Sequence, residues 1–582
     1  MIYRHFKYEG WLYALAFLIA LGIRLTGLGA LPLNDSEAMP ALQALHISQS
    51  ETTPVGPHPF YILSTSVLFL LYGGGTNFLA RLIPALVGSF LVLAPLLFDN
   101  RLRPRSSLLL AFFLALDPGL VTISRLAASP ILAITLVAFT VGFYNKNKLA
   151  HAAVFAALAL LSGPSLWFGL LGLGISLAIY QLFNRGGSRS SVDETPEAES
   201  DSAREEAMRS SFSNSKIESF KLTPSILILF AFTFFSAGTL FLTVPGGIGA
   251  VFASIPAFIN NWATPSGTTQ GIVLLSLALY QPFALLLSIV ALIRGWANGV
   301  RRIVFLSLWL LVSLVFVILL PARQMADLTW TLIPLNALAA IEFARHFNIF
   351  PDERREVAGV AFLTLFIWVF AWFGLSSLIW YPSDSPEYRL RFWMLVAALA
   401  LLLVSLVLIA AGWSLRTARF GAVWGLAIGL GVLGLGGALG ATGLRGMDFP
   451  ELWWPHAVPI QAELLRETVD QISEFGTGDD HHASVVILGL DSPALVWALR
   501  EHPVKVVKAL DVSNAPDFVI TPFEMDPALI AAYRGQDFTW RQTPLWNLNA
   551  PASWLRWVIL REMPQSGEVI ILWARDDLFI DN

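Results

Sequence analysis

Apolar runs of about twenty residues, separated by short polar punctuation, recur from near residue 11 almost to residue 444. A helix of that length rises ~30 Å, the thickness of a bilayer's hydrocarbon core. The runs predict thirteen spans, at 11–30, 78–98, 106–123, 127–144, 149–162, 164–183, 223–244, 271–293, 302–320, 327–345, 357–380, 391–412 and 418–442. A further apolar stretch, "HPFYILSTSVLFLLY" at 58–72, is short of a full crossing. It is read as a helix lying along the surface or re-entering it. After Leu444 the pattern changes. "PIQAELLRETVDQISEF" and "SPALVWALREH" carry helical periodicity, while "SVVILGL", "VKVVKAL", "DFVITP" and "EVIILWARDDLF" read as strands. Alternating strand and helix predicts a small α/β domain over 446–582, following a membrane domain over 1–445.

Composition agrees with the pattern. Of 582 residues, 55% are hydrophobic and 13% charged, with mean hydropathy +0.64, whereas globular domains carry about 25% charge. The fold class is a polytopic α-helical membrane protein. The net charge of −4 is spread along the chain and gives no sign of a nucleic-acid partner. Zero cysteines exclude disulfides, thiolate metal sites and thiol nucleophiles. The first apolar run is too long, and too poorly bounded by small residues, to be a removable signal peptide. The Gly-rich "GLGVLGLGGALGATG" follows no strand and is read as close helix packing.

Lys and Arg favour cytoplasmic loops. That bias puts the N-terminus inside with Arg4 and Lys7, along with Arg101, Arg103, Arg105, Lys146, Lys148, Arg294, Arg301, Arg302, Arg345, Arg354, Arg355, Arg416 and Arg419. The loops 31–77 and 245–270 have neither residue type and fall outside, as does the C-terminal domain. Residues 184–222 hold ten Ser and fourteen charges and almost no large apolar residues. They predict a disordered cytoplasmic loop.

The outer edge carries little chemistry, so each polar group there counts. "LPLNDSEAMPALQAL" places Asp35 and Glu37 two residues apart just past the first span. His58 opens the surface helix, Arg81 starts the second span, and Arg125 follows the third, shortly after Asp117. Arg323 and Asp327 flank the tenth. Burial at such a boundary lifts a carboxylate's pKa toward the working range of a general base. Two acids in one loop also suit a divalent cation, Mg or Mn. Outward arginines suit a phosphate, which they grip through paired hydrogen bonds. Each residue also has a plainer use: a loop charge in water, an arginine reaching for lipid headgroups, an ordinary surface histidine. Eight Trp after residue 446 suit sugar rings or the domain's own core.

The order of these stretches resembles the family 39 glycosyltransferases, which include the protein O-mannosyltransferases and the aminoarabinose transferases of lipid A. The matching stretches are the acids after the first span, "HPFYILSTSVLFLLYGGGTNFLARLIPALVGSFLVL", "RLRPRSS", "LDPGLVTISRLAAS" and, more faintly, "PARQMADLTWTLIPLNALAA". In the tail, "SPALVWALREHPVKVV", "APDFVITP" and "ILWARDDLF" match bacterial relatives. The resemblance implies the C-type glycosyltransferase membrane fold and a bacterial cytoplasmic-membrane enzyme. Its donor would be a polyprenyl-phosphate sugar, and its acceptor an extracytoplasmic lipid, glycan or protein. It implies Asp35 as the base or metal-linked acid supported by Glu37, with inversion at the sugar. Arg125 and Arg323 would steady the leaving phosphate, and Arg81, His58 and Asp327 would shape the site. Ser36 separates the two acids where relatives have an adjacent Asp-Glu, and Pro130 stands near where relatives often have a further acid. Two other readings therefore stay open: a non-catalytic scaffold or glycan-binding descendant, and a lipid-linked sugar transporter. Transporters place ionisable groups near mid-membrane, and here such groups gather at the edge.

Overall fold

The computed structural model describes residues 9–187, 223–443, 450–453, 457–510, 515–546 and 551–579. Arg4 and Lys7, nearly all of the expected 184–222 loop, and the expected domain boundary at 445/446 lie outside the described residues.

Six described helices have the length and hydropathy of a membrane span: Asn77–Leu102, Pro164–Phe183, Arg301–Leu319, Arg354–Trp380, Pro386–Gly412 and Leu415–Gly440. Two bent pairs raise the number to eight. Five further apolar helices, at Pro59–Tyr72, Ile131–Asn145, Leu149–Leu160, Pro224–Gly238 and Gly246–Asn260, are shorter. The thirteen expected runs thus divide into full-length, bent and short helices, and the reasons are local. Pro118 and Pro282 each follow a residue that ends a helix, so the expected spans 106–123 and 271–293 turn by 59° and 94°. The expected tenth span is helix Thr329–Phe343, and Asp327 lies outside it in the 3₁₀ turn Met325–Leu328. A reciprocal cap between Gln324 and Asp327 sets that boundary. The stretch 245–270, expected as an uncharged loop, contains the helix Gly246–Asn260.

At the start of the chain, α1 (Glu9–Leu25) is followed by α2 (Asp35–Ser48), α3 (Pro59–Tyr72) and α4 (Asn77–Phe90). The expected surface helix at 58–72 is α3. It packs against α2, α4 and the helices Pro224–Gly238 and Gly246–Asn260, and its Tyr61, Ile62 and Phe69 are buried.

The C-terminal residues build a six-stranded sheet in the order β1-β5-β6-β4-β2-β3. The strands are β1 Val458–Pro459, β2 Val485–Leu488, β3 Val504–Val507, β4 Phe518–Pro522, β5 Tyr533–Pro544 and β6 Gln565–Arg575. β2 runs parallel to β3 and β4, and the other pairings are antiparallel. Helices Ala462–Thr477 and Pro493–Ala498 precede β2 and β3. The four expected strands are β2, β3, β4 and β6. β5 was not foreseen because only Phe538, Trp540 and Pro544 along it are buried. A strand with so few apolar positions has no readable period-two pattern.

Two of the places where the sheet domain touches the membrane bundle lie at Gly75 and at Tyr280. At the first, the Trp497 indole N–H donates to Asn77 Oδ1 at 2.8 Å, and Arg500 Nε donates to the Gly75 carbonyl at 2.8 Å. Position 75 must be glycine, since a Cβ there would run into the Trp497 ring. At the second, Tyr280 beside the 94° bend donates its hydroxyl to buried Glu451, and Trp453 packs over Gly119.

Candidate functional site

The first turn of α2 holds both acids and sends them in different directions. Asn34 caps the helix: its side chain accepts the Glu37 N–H at 3.1 Å, while its own N–H donates to Glu37 Oε2 at 3.3 Å. Glu37 is 2% exposed and accepts Arg81 Nε at 2.8 Å and Nη2 at 2.7 Å, a two-pronged ion pair. The Ala127 N–H adds a fourth donor at 3.0 Å. Arg81 donates further to the carbonyls of Leu31 at 2.6 Å and Pro32 at 3.0 Å. The pair therefore pins α4 to the α1–α2 connection.

Arg125 does similar work at the end of helix Pro118–Ser124. Its guanidinium donates to the carbonyls of Arg24 (2.9 Å), Thr26 (2.7 Å), Gly27 (3.0 Å) and Thr442 (2.8 Å). Helix C-termini leave carbonyls without partners, and this one side chain bonds carbonyls at or just past the ends of α1 and of the helix Leu415–Ala441. The chain from Arg81 through Glu37 and Ala127 to Arg125 is a closed brace.

Asp35 faces the sheet domain instead. Its Oδ1 accepts the Ser492 hydroxyl at 2.8 Å and the Ala494 N–H at 3.0 Å, and its Oδ2 is ion-paired with Arg541. The expectation that Asp35 and Glu37 converge, on a reaction or on a divalent ion, is corrected by this geometry. Cationic and N–H donors occupy both carboxylates, so this pair does not fit a metal. Among the described residues, the acidic and imidazole groups that cluster closely enough for an ion are Asp479, Asp480 and His481, far along the chain. That histidine is already paired with Asp480 at 2.7 Å and Glu501 at 2.9 Å.

Arg323 and Asp327 lie in another connection. The strap 321–323 is tied to the segment before helix Gln270–Tyr280: Ala322 N–H donates to the Asn261 carbonyl at 3.0 Å, and Arg323 Nη1 to the Thr268 carbonyl at 3.0 Å. Among the described residues, Arg323 Nε is buried without an acceptor. Asp327 accepts the Gln324 N–H at 2.9 Å. Burial pushes its pKa up to about 6, against the opposing pull of that hydrogen bond. The turn Met325–Leu328 packs on helix Pro118–Ser124, which ends at Arg125.

His58 stands at the N-cap of α3 with no side-chain capping bond. Its Nδ1 is enclosed without a partner among the described residues. Burial pushes its pKa down to about 4, outweighing the Ser162 backbone, so the ring is neutral at pH 7. Gly163, at φ +108°, lies against the ring and leaves no room for a Cβ. Two residues on, Ser165 accepts the Trp330 indole N–H at 3.1 Å, which links this corner to the helix following Asp327.

Sequence reasoning missed Ser492 and Arg541, the partners of Asp35, because nothing local marks a contact across more than 450 positions. It names Asp117 beside Arg125 but misses the buried group that Asp117 forms with Asn336 and Gln281 at the two bends. Asp117 accepts the Leu120 N–H at 2.9 Å, Asn336 Nδ2 at 2.9 Å and Gln281 Nε2 at 3.3 Å. The Asp-Pro step was the available signal, since it reads as an N-cap followed by a first helical residue.

No family model matches the chain, and no curated protein does. Two crystal structures of ArnT from Cupriavidus metallidurans are similar to it. The one bound to undecaprenyl phosphate is 13% identical, covers 98% of this chain and 99% of that chain, and has a TM-score of 0.53. The apo state is 15% identical, covers 88% and 93%, and has a TM-score of 0.49. At this identity the likeness speaks for the fold alone: the chain has the ArnT architecture, a multi-span helical membrane domain followed by a mixed α/β sheet domain.

Proposed function

We propose that the protein transfers a sugar from a polyprenyl-phosphate donor to an acceptor on the outer face of a bacterial cytoplasmic membrane. The observation that carries this reading is the near full-length likeness to a fold solved with undecaprenyl phosphate bound. In the proposed step the acceptor hydroxyl oxygen attacks the anomeric carbon and inverts it. The bond from that carbon to the phosphate oxygen breaks, and the polyprenyl phosphate departs with the electron pair.

The geometry favours Asp327 over Asp35 as the group that takes the acceptor's proton. Asp35 is already engaged by an arginine and two further donors of the sheet domain. Asp327, raised to about 6, matches the working range of a general base. Arg323, four residues away, has N–H groups to spare for the developing phosphate charge. Glu37, Arg81 and Arg125 would frame the site, with His58 helping to shape it. No step is routed through a divalent ion.

The test is transfer from a panel of labelled polyprenyl-phosphate sugars into membrane extract, with wild type and Asp327→Asn in parallel. Turnover by the wild type that fails in the variant supports the reading, and full turnover in the variant removes Asp327 from the mechanism. A second reading, a protein that binds the lipid-linked sugar without turning it over, is favoured by the occupied state of Asp35. Donor binding with no turnover in the wild type would establish it.

A further inference from the structure

We propose that Asp35 and Arg541 form a latch that seats the sheet domain on the membrane bundle and positions the first turn of α2. Three donors from the sheet domain converge on one carboxylate of the bundle: the Ser492 hydroxyl, the Ala494 N–H and the Arg541 guanidinium. Arg541 also donates to the Ser492 hydroxyl at 2.8 Å, so the acceptor, the cation and the hydroxyl close a ring of contacts. A solvated loop acid has no need of such a cradle.

The elements on either side explain why the latch falls here. Ser492 caps the short helix Pro493–Ala498, and its hydroxyl accepts the Leu495 N–H at 3.3 Å while donating to Asp35. Arg541 lies on β5, one of the two longest strands of the sheet. The carboxylate thus ties together a connection after β2 and an antiparallel strand at the other side of the sheet. On the bundle side, Trp497 on Asn77 and Arg500 on Gly75 fasten the same helix to the α3–α4 turn.

Position along α2 gives the latch its reach. Asp35 and Glu37 share one helical turn, so what grips Asp35 from the sheet also fixes Glu37, and through it Arg81 and the Ala127 amide. The seat of the sheet domain and the placement of the brace are therefore coupled through about one turn of helix. A seam cavity of about 320 Å³ adjoins the latch, walled by Leu33, Asn77 and Phe78 on one side and by Ala494, Ala498 and Arg500 on the other. Release of the latch would open that seam.

The test needs no turnover, so it stands or falls independently of the proposed activity. The chain has no cysteine, so a single introduced thiol reports one position. Ala498→Cys, in the seam wall, is labelled with a maleimide in the full-length protein, and Ala483→Cys, fully buried beside β2, serves as the control for an intact sheet. Asp35→Asn and Arg541→Gln should each raise the labelling rate at 498 about tenfold, the scale of one lost charge-assisted hydrogen bond. Arg541→Lys should recover part of the protection. The double variant should be no more open than either single one, because both remove the same bond. Position 483 should stay protected throughout. Unchanged labelling at 498, or effects that multiply in the double variant, would overturn the latch.

Discussion

Two arginine–acid groupings, the brace at Glu37–Arg81 and the strap at Arg323–Asp327, have nearly the same composition and opposite states. In the brace both partners are 2% exposed and the carboxylate accepts four hydrogen bonds from the protein. In the strap the acid takes one backbone N–H and the arginine reaches one carbonyl. The difference lies in what each connection must do. The brace closes the gap between α1, α2 and α4, and unpaired charge there would be costly. The strap lies between two helices and leaves part of its polar capacity unused. Saturated groups hold a fold together, and groups with capacity to spare are where a substrate can bind.

The largest effect should come from breaking the brace. Glu37→Gln leaves the Arg81 guanidinium buried with no counter-charge, which costs about 3–5 kcal/mol. Arg323→Gln should move stability by less than about 1 kcal/mol, since its one hydrogen bond is to a partly exposed carbonyl segment. Thermal unfolding of both variants in the same detergent decides the matter. Equal losses would show that the strap is structural after all.

Asp327→Asn sharpens the same contrast from the other side. It should lower transfer about a hundredfold or more while leaving the melting temperature near that of the wild type. A base works only when deprotonated, so wild-type turnover should fall as pH drops through about 6. The variant's residual rate should not follow that limb. A flat wild-type profile between pH 5 and 8 would point to another base.

The sequence reached the brace and the strap unequally, for physical reasons. Six spans were readable because hydropathy over twenty residues is a strong signal. Four of the six strands were readable from short apolar runs. The bends at Pro118 and Pro282 were written as X-Pro steps inside runs that hydropathy alone joins into single spans. Candidate residues were found because polar groups are scarce at the edge of an apolar chain. Which of them would be saturated was not readable. That depends on carbonyls such as Thr442 for Arg125 and on Arg541 for Asp35, partners more than 300 and 500 positions away.

A smaller effect should follow at the corner that joins the two regions. Gly163 sits at φ +108°, where a side chain is strained, and its missing Cβ gives the His58 ring its place. Gly163→Ala should cost about 1–3 kcal/mol. His58→Ala placed on top of it should return part of that loss by vacating the clash. A double-variant melt no higher than that of Gly163→Ala would show that backbone strain, not the ring, sets the cost.

The smallest effect should appear where the brace's chemistry is repeated in water. His481 pairs with Asp480 and Glu501, yet its side chain is 39% exposed, against 2% for Glu37. Burial is the largest single influence and lowers the pKa, but the hydrogen bond to Glu501 and the charges of Asp480, Glu501 and Asp470 together outweigh it, so the folded-state value is raised. A histidine raised on folding contributes stability below its ordinary value near 6.5, and that contribution fades as pH climbs through the folded value. His481→Asn should therefore cost less than about 1 kcal/mol at pH 6 and nothing measurable at pH 8. The difference should shrink further in high salt, because exposed pairs are screened. Unfolding curves at the two pH values, at low and high salt, measure it. A loss at His481 comparable to that at Glu37 would mean that pairing alone, rather than pairing in a buried setting, separates the two regions.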